Sequence, residues 1–255
     1  MNQSRLKPFN SYNWQNIKLI ASDMDGTLTK AERFDSGLFE TLRRLKNAGI
    51  DVLVTTGRSA GWVQAIATYL PVVGAIAENG GLLYWHDDTQ PRFLSDLNIE
   101  EHRLQLKKIF NLLQSKFPQI QESPDNPFRL TDWTFEVAGL SLTELEQIES
   151  ICNQEGYGFT YSTIQCHIKP LHQDKGYALN KIIPQYFPHL IAGEMLTIGD
   201  SPNDESLFNP DRFPLSVGVA NINKYRDRLK YLPAYITNKS EGEGFRELAN
   251  AIVAF

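Results

Sequence analysis

The sequence predicts an α/β protein with a Rossmann-like three-layer core, a mostly parallel sheet and an inserted α+β cap. Three observations carry this reading. Short apolar runs alternate with amphipathic helical stretches at the start of the chain. From about residue 85 to 170 the pattern changes to long helices and one-sided strands. The first alternation then resumes. The chain has 255 residues, 42% of them hydrophobic, which suits one large core with an insertion. The expected division is 1–84 for the first part of the core, 85–171 for the cap and 172–255 for the second part.

The elements follow in order. IKLIAS, ending at Ser22, reads as a strand buried on both faces, and SGLFETLRRLKNAG as a helix with Leu38, Leu42 and Leu45 on one side and Gly49 as its stop. IDVLVTT is a second buried strand. SAGWVQAIATYL is a helix that Ser59 is placed to cap, closed before Pro71. VVGAIA is a third strand and GGLLYW a returning hairpin arm. In the middle, IEEHRLQLKKIFNLLQSKF and LTELEQIESICNQEG are amphipathic helices. RLTDWTFEVAG, YGFTYST and IQCHIKP are strands with one solvated face. Beyond them, DKGYALNKIIPQYF is a helix capped by Asp174, MLTIGD a buried strand, NDESLF a short helix and PLSVGVA a further strand. A last helix runs from about Glu243, with SEGEG as a loop before it.

Composition excludes several classes. A net charge of −5 and a pI near 5.6 fit neither a nucleic-acid binder nor a membrane-surface protein. The start is polar, and no apolar run approaches the ~20 residues of a membrane span. Cys152 and Cys166 lack zinc spacing and read as buried thiols. The expectation is a cytoplasmic monomer or homodimer whose partner is a small molecule.

Polar residues of particular kinds stand where apolar runs end. IKLIAS ends on Asp23-Met24-Asp25, DVLVT on Thr56-Gly57-Arg58, and EMLTIG on Asp200, with Asn203 and Asp204 just beyond. Ligands of open parallel sheets bind outside the carboxyl ends of the strands. Singly these signals are weak: Asp23 and Asp25 suit a solvated turn, Asn203 or Asp204 a helix cap, and Lys175 a surface position. In order along one chain they point to a shared site. Like charges ~4 Å apart repel by about 4 kcal/mol at an effective dielectric near 20, so gathering Asp23, Asp25, Asp200 and Asp204 calls for a cation. Oxygen-only ligands with open positions suit Mg²⁺. The Thr56 hydroxyl and Lys175 suit phosphoryl oxygens, and Gly26 lets the backbone approach a ligand.

These motifs, DMDGTL, TTGR, the lysine of DKGYAL and GDSPND, resemble those of the haloacid dehalogenase superfamily of phosphohydrolases. The middle insertion and the ENGG segment are similar to its subgroup with a large α/β cap, which holds Cof-type, sucrose-phosphate and mannosyl-3-phosphoglycerate phosphatases. The resemblance implies Asp23 as nucleophile and Asp25 as acid, then base. It implies Mg²⁺ held by Asp23, the Asp25 carbonyl and Asp200, with Asn203 and Asp204 completing or orienting that shell. Thr56 would bind the phosphoryl group and Lys175 would hold Asp23. Ser201-Pro202 after Asp200, where many relatives have glycine, is closer to the mannosyl-3-phosphoglycerate branch. The segment before Asn16 has no counterpart in the resemblance.

Other candidates stand between function and structure. Arg58, beside Gly57, reaches the substrate or the cap, or anchors its loop through a carboxylate. Asn79 lies in an Asn-Gly turn that in the subgroup faces the site. His167 and Lys169 lie on the last cap strand, where the leaving group belongs, although a lone strand histidine is commonly structural. Trp62, Trp85 and Trp133 read as packing. The expected activity is a Mg²⁺-dependent phosphomonoesterase of a sugar phosphate or phosphorylated glycoside. The alternatives are a phosphosugar mutase or phosphotransferase on the same scaffold, and an aspartate-phosphorylated signalling module, which the Asp-x-Asp spacing and the cap argue against.

Overall fold

The computed structural model describes residues 6–86, 88 and 90–253. In the first part, β1 (Lys7–Pro8) and β2 (Leu19–Ser22) precede α1 (Ser36–Asn47). Then come β3 (Asp51–Thr55), α2 (Ala60–Tyr69), β4 (Gly74–Ala77), β5 (Leu82–Trp85) and β6 (Arg92–Phe93). The insertion contains α3 (Ile99–Lys116), β7 (Trp133–Glu136), α4 (Leu142–Gln154), β8 (Tyr157–Tyr161) and β9 (Gln165–Pro170). The chain returns through α5 (Lys175–Tyr186), β10 (Met195–Gly199), β11 (Ser216–Gly218), β12 (Tyr235–Ile236) and α6 (Glu241–Val253).

A nine-stranded sheet runs β1-β12-β11-β10-β2-β3-β4-β5-β6, parallel from β1 to β4 and antiparallel at β5 and β6. It therefore continues to Phe93, past the strand that ends at Trp85. Successive residues of β2 face opposite layers, as the twofold strand period requires. Ile20 packs under α1, α2 and α6, whereas Leu19 and Ala21 pack under α5. The second sheet, β7-β9-β8, is antiparallel, and its apolar face packs on α3 and α4. Among the described residues no helix is long and apolar enough to cross a membrane.

Several expectations are corrected here. Ser59 makes no side-chain cap to α2; the Ala60 amide donates instead to Glu78 Oε1 at 2.9 Å. RLTDWTFEVAG is a strand only over β7. Residues 129–132 stay irregular because the amides of Leu130, Thr131 and Asp132 go to the Glu78 carboxylate, not to a neighbouring strand. The segment Pro202–Phe208 is a 3-10 helix. SEGEG is no loop: α6 begins at Glu241, and a Cβ on Gly244 would stand 2.4 Å from the Lys239 carbonyl oxygen, so the glycine allows close packing. The polar face of β9 is not solvated, because Gln165, His167 and Lys169 are buried. The start of the chain supplies edge strand β1 and buries Trp14, whose Nε1 donates to the Phe9 carbonyl. Trp133 is buried in the second module, whereas Trp62 is 43% exposed beside Phe34 and Arg58.

Candidate active site

The chain leaves β2 and β10 at the point where strand order reverses, β3 lying on one side of β2 and β10 on the other. Crevices at such switch points accept ligands. The pairing Ser22↔Ile198 sets the two strand ends level, so Asp23 and Asp200 emerge together. Asp204 joins them from the following 3-10 helix. Carboxylate oxygens of Asp23, Asp200 and Asp204 lie within 4.8 Å of one another, and all three residues are buried.

One cation sits among them. Lys175, at the start of α5, donates from Nζ to Asp23 Oδ1 at 2.6 Å and to Asp204 Oδ1 at 2.7 Å. Asp204 Oδ2 accepts from the amides of Asp200 and Ser201, so both its oxygens are committed to holding the site together. Asp200 accepts from Thr27 Oγ1 at 3.4 Å and Asn221 Nδ2 at 2.7 Å. Asp23 Oδ2 is buried and has no hydrogen-bond partner among the described residues. Gly26 has φ +82°, and a Cβ there would meet Asp200 Oδ2 at 2.5 Å. Only glycine combines that conformation with that approach.

The electrostatics follow from three carboxylates facing one ammonium. Burial, then the Asp204 charge, pushes Asp23 up to about 7 in spite of Lys175. Burial and the charges of Asp23 and Asp204 hold Asp200 well above the ordinary carboxylate range. Lys175 rises despite burial, because Asp204 and Asp23 favour its charged form. Fully ionised, the cluster carries two negative charges in excess; that charge, the all-oxygen donors and the orphaned Asp23 oxygen fit a hard divalent cation such as Mg²⁺.

The remaining candidates surround this cluster. The Arg58 guanidinium grips both oxygens of Asp25, and its amide donates to Thr56 Oγ1 at 3.1 Å. Asn203 donates to Asn79 Oδ1 at 3.0 Å and accepts from Ser201 Oγ at 2.7 Å. The carboxylate of Asp25 and the side chain of Asn203 are therefore engaged outside the acidic cluster. His167 lies over Gly57: a Cβ there would be 3.0 Å from His167 Cε1. A cavity of about 20 Å³ remains between core and insertion, lined in part by Asp23, Asp25, Thr56, Arg58, His167 and Asn203. Lys169 lines a separate, larger cavity of about 920 Å³ that also touches Asn79 and Asn203. The larger space does not touch Asp23, whereas the smaller one does.

Sequence reasoning missed the residues that fasten the insertion over the site. The buried carboxylate of Glu78 accepts from the amides of Leu130, Thr131 and Asp132, from Thr131 Oγ1 and from Ala60. Arg129 donates to the Gly57 carbonyl oxygen at 2.9 Å and also binds Asp125, Asp132 and Gln165. Asp132 accepts from His167 Nδ1 at 2.8 Å. Burial pushes Asp132 up, but Arg129 and His167 outweigh it and bring the carboxyl below its usual range. Burial lowers His167. The only sequence signals were the acid beside Asn79 and the charged string DNPFRLTD; neither is a motif.

Residues 20–126 match the model of a family described as haloacid dehalogenase-like hydrolase. The chain is similar to a phosphoglycolate phosphatase of Thermoplasma acidophilum, 26% identical over 89% of this chain and 94% of that one. A phosphoglycolate phosphatase of Methanothrix thermoacetophila is 29% identical over 91% and 95%. Among solved structures, a Thermoplasma acidophilum protein superposes with a TM-score of 0.73 at 23% identity, over 92% of this chain and 96% of that one. A Synechocystis sucrose-phosphatase does so at 0.69 and 18%, over 94% and 99%. Both share the fold.

Proposed function

We propose that this chain is a phosphatase of the haloacid dehalogenase-like hydrolases, a Mg²⁺-dependent phosphomonoesterase working through a phosphorylated Asp23. The observation that carries the reading is the orphaned oxygen of Asp23, in a carboxylate whose other oxygen Lys175 holds.

One oxygen of Asp23 forms a bond to phosphorus as the bond to the leaving oxygen breaks. Asp25 gives that oxygen its proton, once Arg58 has released it. Asp25 then takes a proton from a water molecule, and the water oxygen displaces the phosphoryl group from Asp23. Lys175 and the Thr56 hydroxyl stabilise the phosphoryl oxygens. Asp23 and Asp200 would hold Mg²⁺, together with the Asp25 carbonyl, and Asp204 and Asn203 would orient them. The ion would neutralise the clustered carboxylates and the phosphoryl oxygens.

The space beside Asp23, about 20 Å³, admits roughly one water molecule, and on this reading the insertion lifts for substrate to enter. We read residues 85–171 as this cap. Among small phosphorylated metabolites, phosphoglycolate is the first candidate, because relatives of that name align along nearly the whole chain. A sugar phosphate or phosphorylated glycoside is the second, supported by the larger cavity. The test is phosphate release from a panel of both classes, with Mg²⁺ and with EDTA. Release that EDTA stops and Mg²⁺ restores is the expected result. Full activity in EDTA, or in Asp23→Asn, overturns the proposal. Transfer of the phosphoryl group to a sugar hydroxyl rather than to water identifies a phosphotransferase instead.

A further inference from the structure

Three cationic side chains are buried among the described residues: Arg129, Lys169 and Lys175. Two of them are matched. Lys175 has Asp23 and Asp204, and Arg129 has Asp125 and Asp132. Lys169 is 6% exposed, yet no described residue hydrogen-bonds to its ammonium or forms a salt bridge with it; Asp174, Asp132 and Glu149 act on it only through space. Lysines are rarely buried without a partner, because a desolvated ammonium is costly unless paired. Gly158, its neighbour across on β8, makes room for it: a Cβ there would stand 3.2 Å from Nζ.

The position of this charge is informative. Lys169 and His167 are two residues apart on β9 and share a face, roughly 6.6–7 Å from each other. His167 lines the small cavity beside Asp23, and Lys169 lines the larger one; Asn203 lines both. The polar row on β9 thus runs from the cavity beside Asp23 to the larger one. We propose that Lys169 binds a carboxylate of the leaving group, which makes the substrates phosphate monoesters of small hydroxy acids. This rests on the phosphomonoesterase reading above. A hydroxyl would leave the ammonium uncompensated, whereas a carboxylate completes a charge-assisted hydrogen bond.

The experiment compares esters that differ only in that group: 3-phosphoglycerate with glycerol 3-phosphate, and phosphoglycolate with 2-hydroxyethyl phosphate. The preference is the ratio of kcat/KM for the acid to that for the alcohol, read in whichever pair turns over faster. The native enzyme prefers the acid. Lys169→Met cuts the preference about tenfold or more, mainly through KM, and Lys169→Arg retains it. A native enzyme without preference for the acid, or a fall of less than fivefold in Lys169→Met, overturns the assignment. Losing a buried, unpaired charge does not unfold the variant, so its melting temperature equals or exceeds the native one. If the native enzyme releases phosphate from none of the esters with Mg²⁺ present, the phosphomonoesterase reading itself falls and takes this assignment with it.

Discussion

Arg58 holds Asp25 by both carboxylate oxygens, Nε to Oδ2 at 2.9 Å and Nη2 to Oδ1 at 2.7 Å. Both partners come from loops that follow neighbouring parallel strands, so the pair is a product of the sheet order. While it persists, neither oxygen of Asp25 is free to meet a leaving group. On the proposed mechanism, an arriving phosphoryl group would offer Arg58 a competing anion and so couple substrate binding to the release of Asp25.

Arg58→Ala is therefore expected to lower kcat/KM about tenfold or more, since it removes a charged contact made on binding. Stability should fall by about 1–3 kcal/mol, because the side chains are only 26% and 16% exposed and their hydrogen bonds are charged. Steady-state kinetics and a thermal melt check both halves. Unchanged kinetics would reduce Arg58 to a loop anchor.

The acidic cluster makes a prediction about pH. Asp23 is raised to about 7 in the fold from an ordinary 3.8, and Asp200 is raised as well. Between these values the folded chain binds more protons than the unfolded one, so metal-free stability falls as pH rises from about 4 to 7. The buried His102 and His167 work the opposite way, because burial lowers both and stability is gained as pH rises through 6.5. Comparing native protein with Asp23→Asn isolates the first effect. The difference in melting temperature should widen in favour of the variant as pH rises, and Mg²⁺ should close it by stabilising only the native protein. A difference independent of both pH and Mg²⁺ would contradict the cation site.

Glu78 concerns the junction of core and insertion. Its carboxylate is buried among five donors, four of them on the loop 130–132. Glu78→Ala leaves those donors without an acceptor and should cost about 3–5 kcal/mol, the range for breaking a buried charged network. Glu78→Gln keeps one acceptor oxygen and should cost less. Thermal melts rank the variants, and amide hydrogen exchange at residues 130–132 should accelerate in both. Unchanged exchange there would mean that the loop is held by other contacts.

Much of the core was legible because its signals are local. Apolar runs of strand length, a capping Asp174 and acids at strand tips are visible within a few residues of each other. The errors have local causes of another kind. Ser59 fits the composition of a cap, yet Glu78, from beyond the next strand, takes the amide. Residues 129–132 have strand-like composition, but their amides are spent on an acid of the core. SEGEG reads as a loop until its glycines are seen packed against the Lys239 and Leu28 carbonyls.

The sequence alone determined the class of protein and the chemical kinds at its strand ends, because periodicity and residue type act at short range. Tertiary structure decided which of those groups meet. It set Lys175 between Asp23 and Asp204, gave Asp25 to Arg58 and left the Lys169 ammonium without a partner among the described residues. Such choices turn on distances of a few ångströms between residues up to 152 positions apart, and on burial, which determines how strongly each charge is felt. Neither quantity exists until the sheet order closes the chain upon itself.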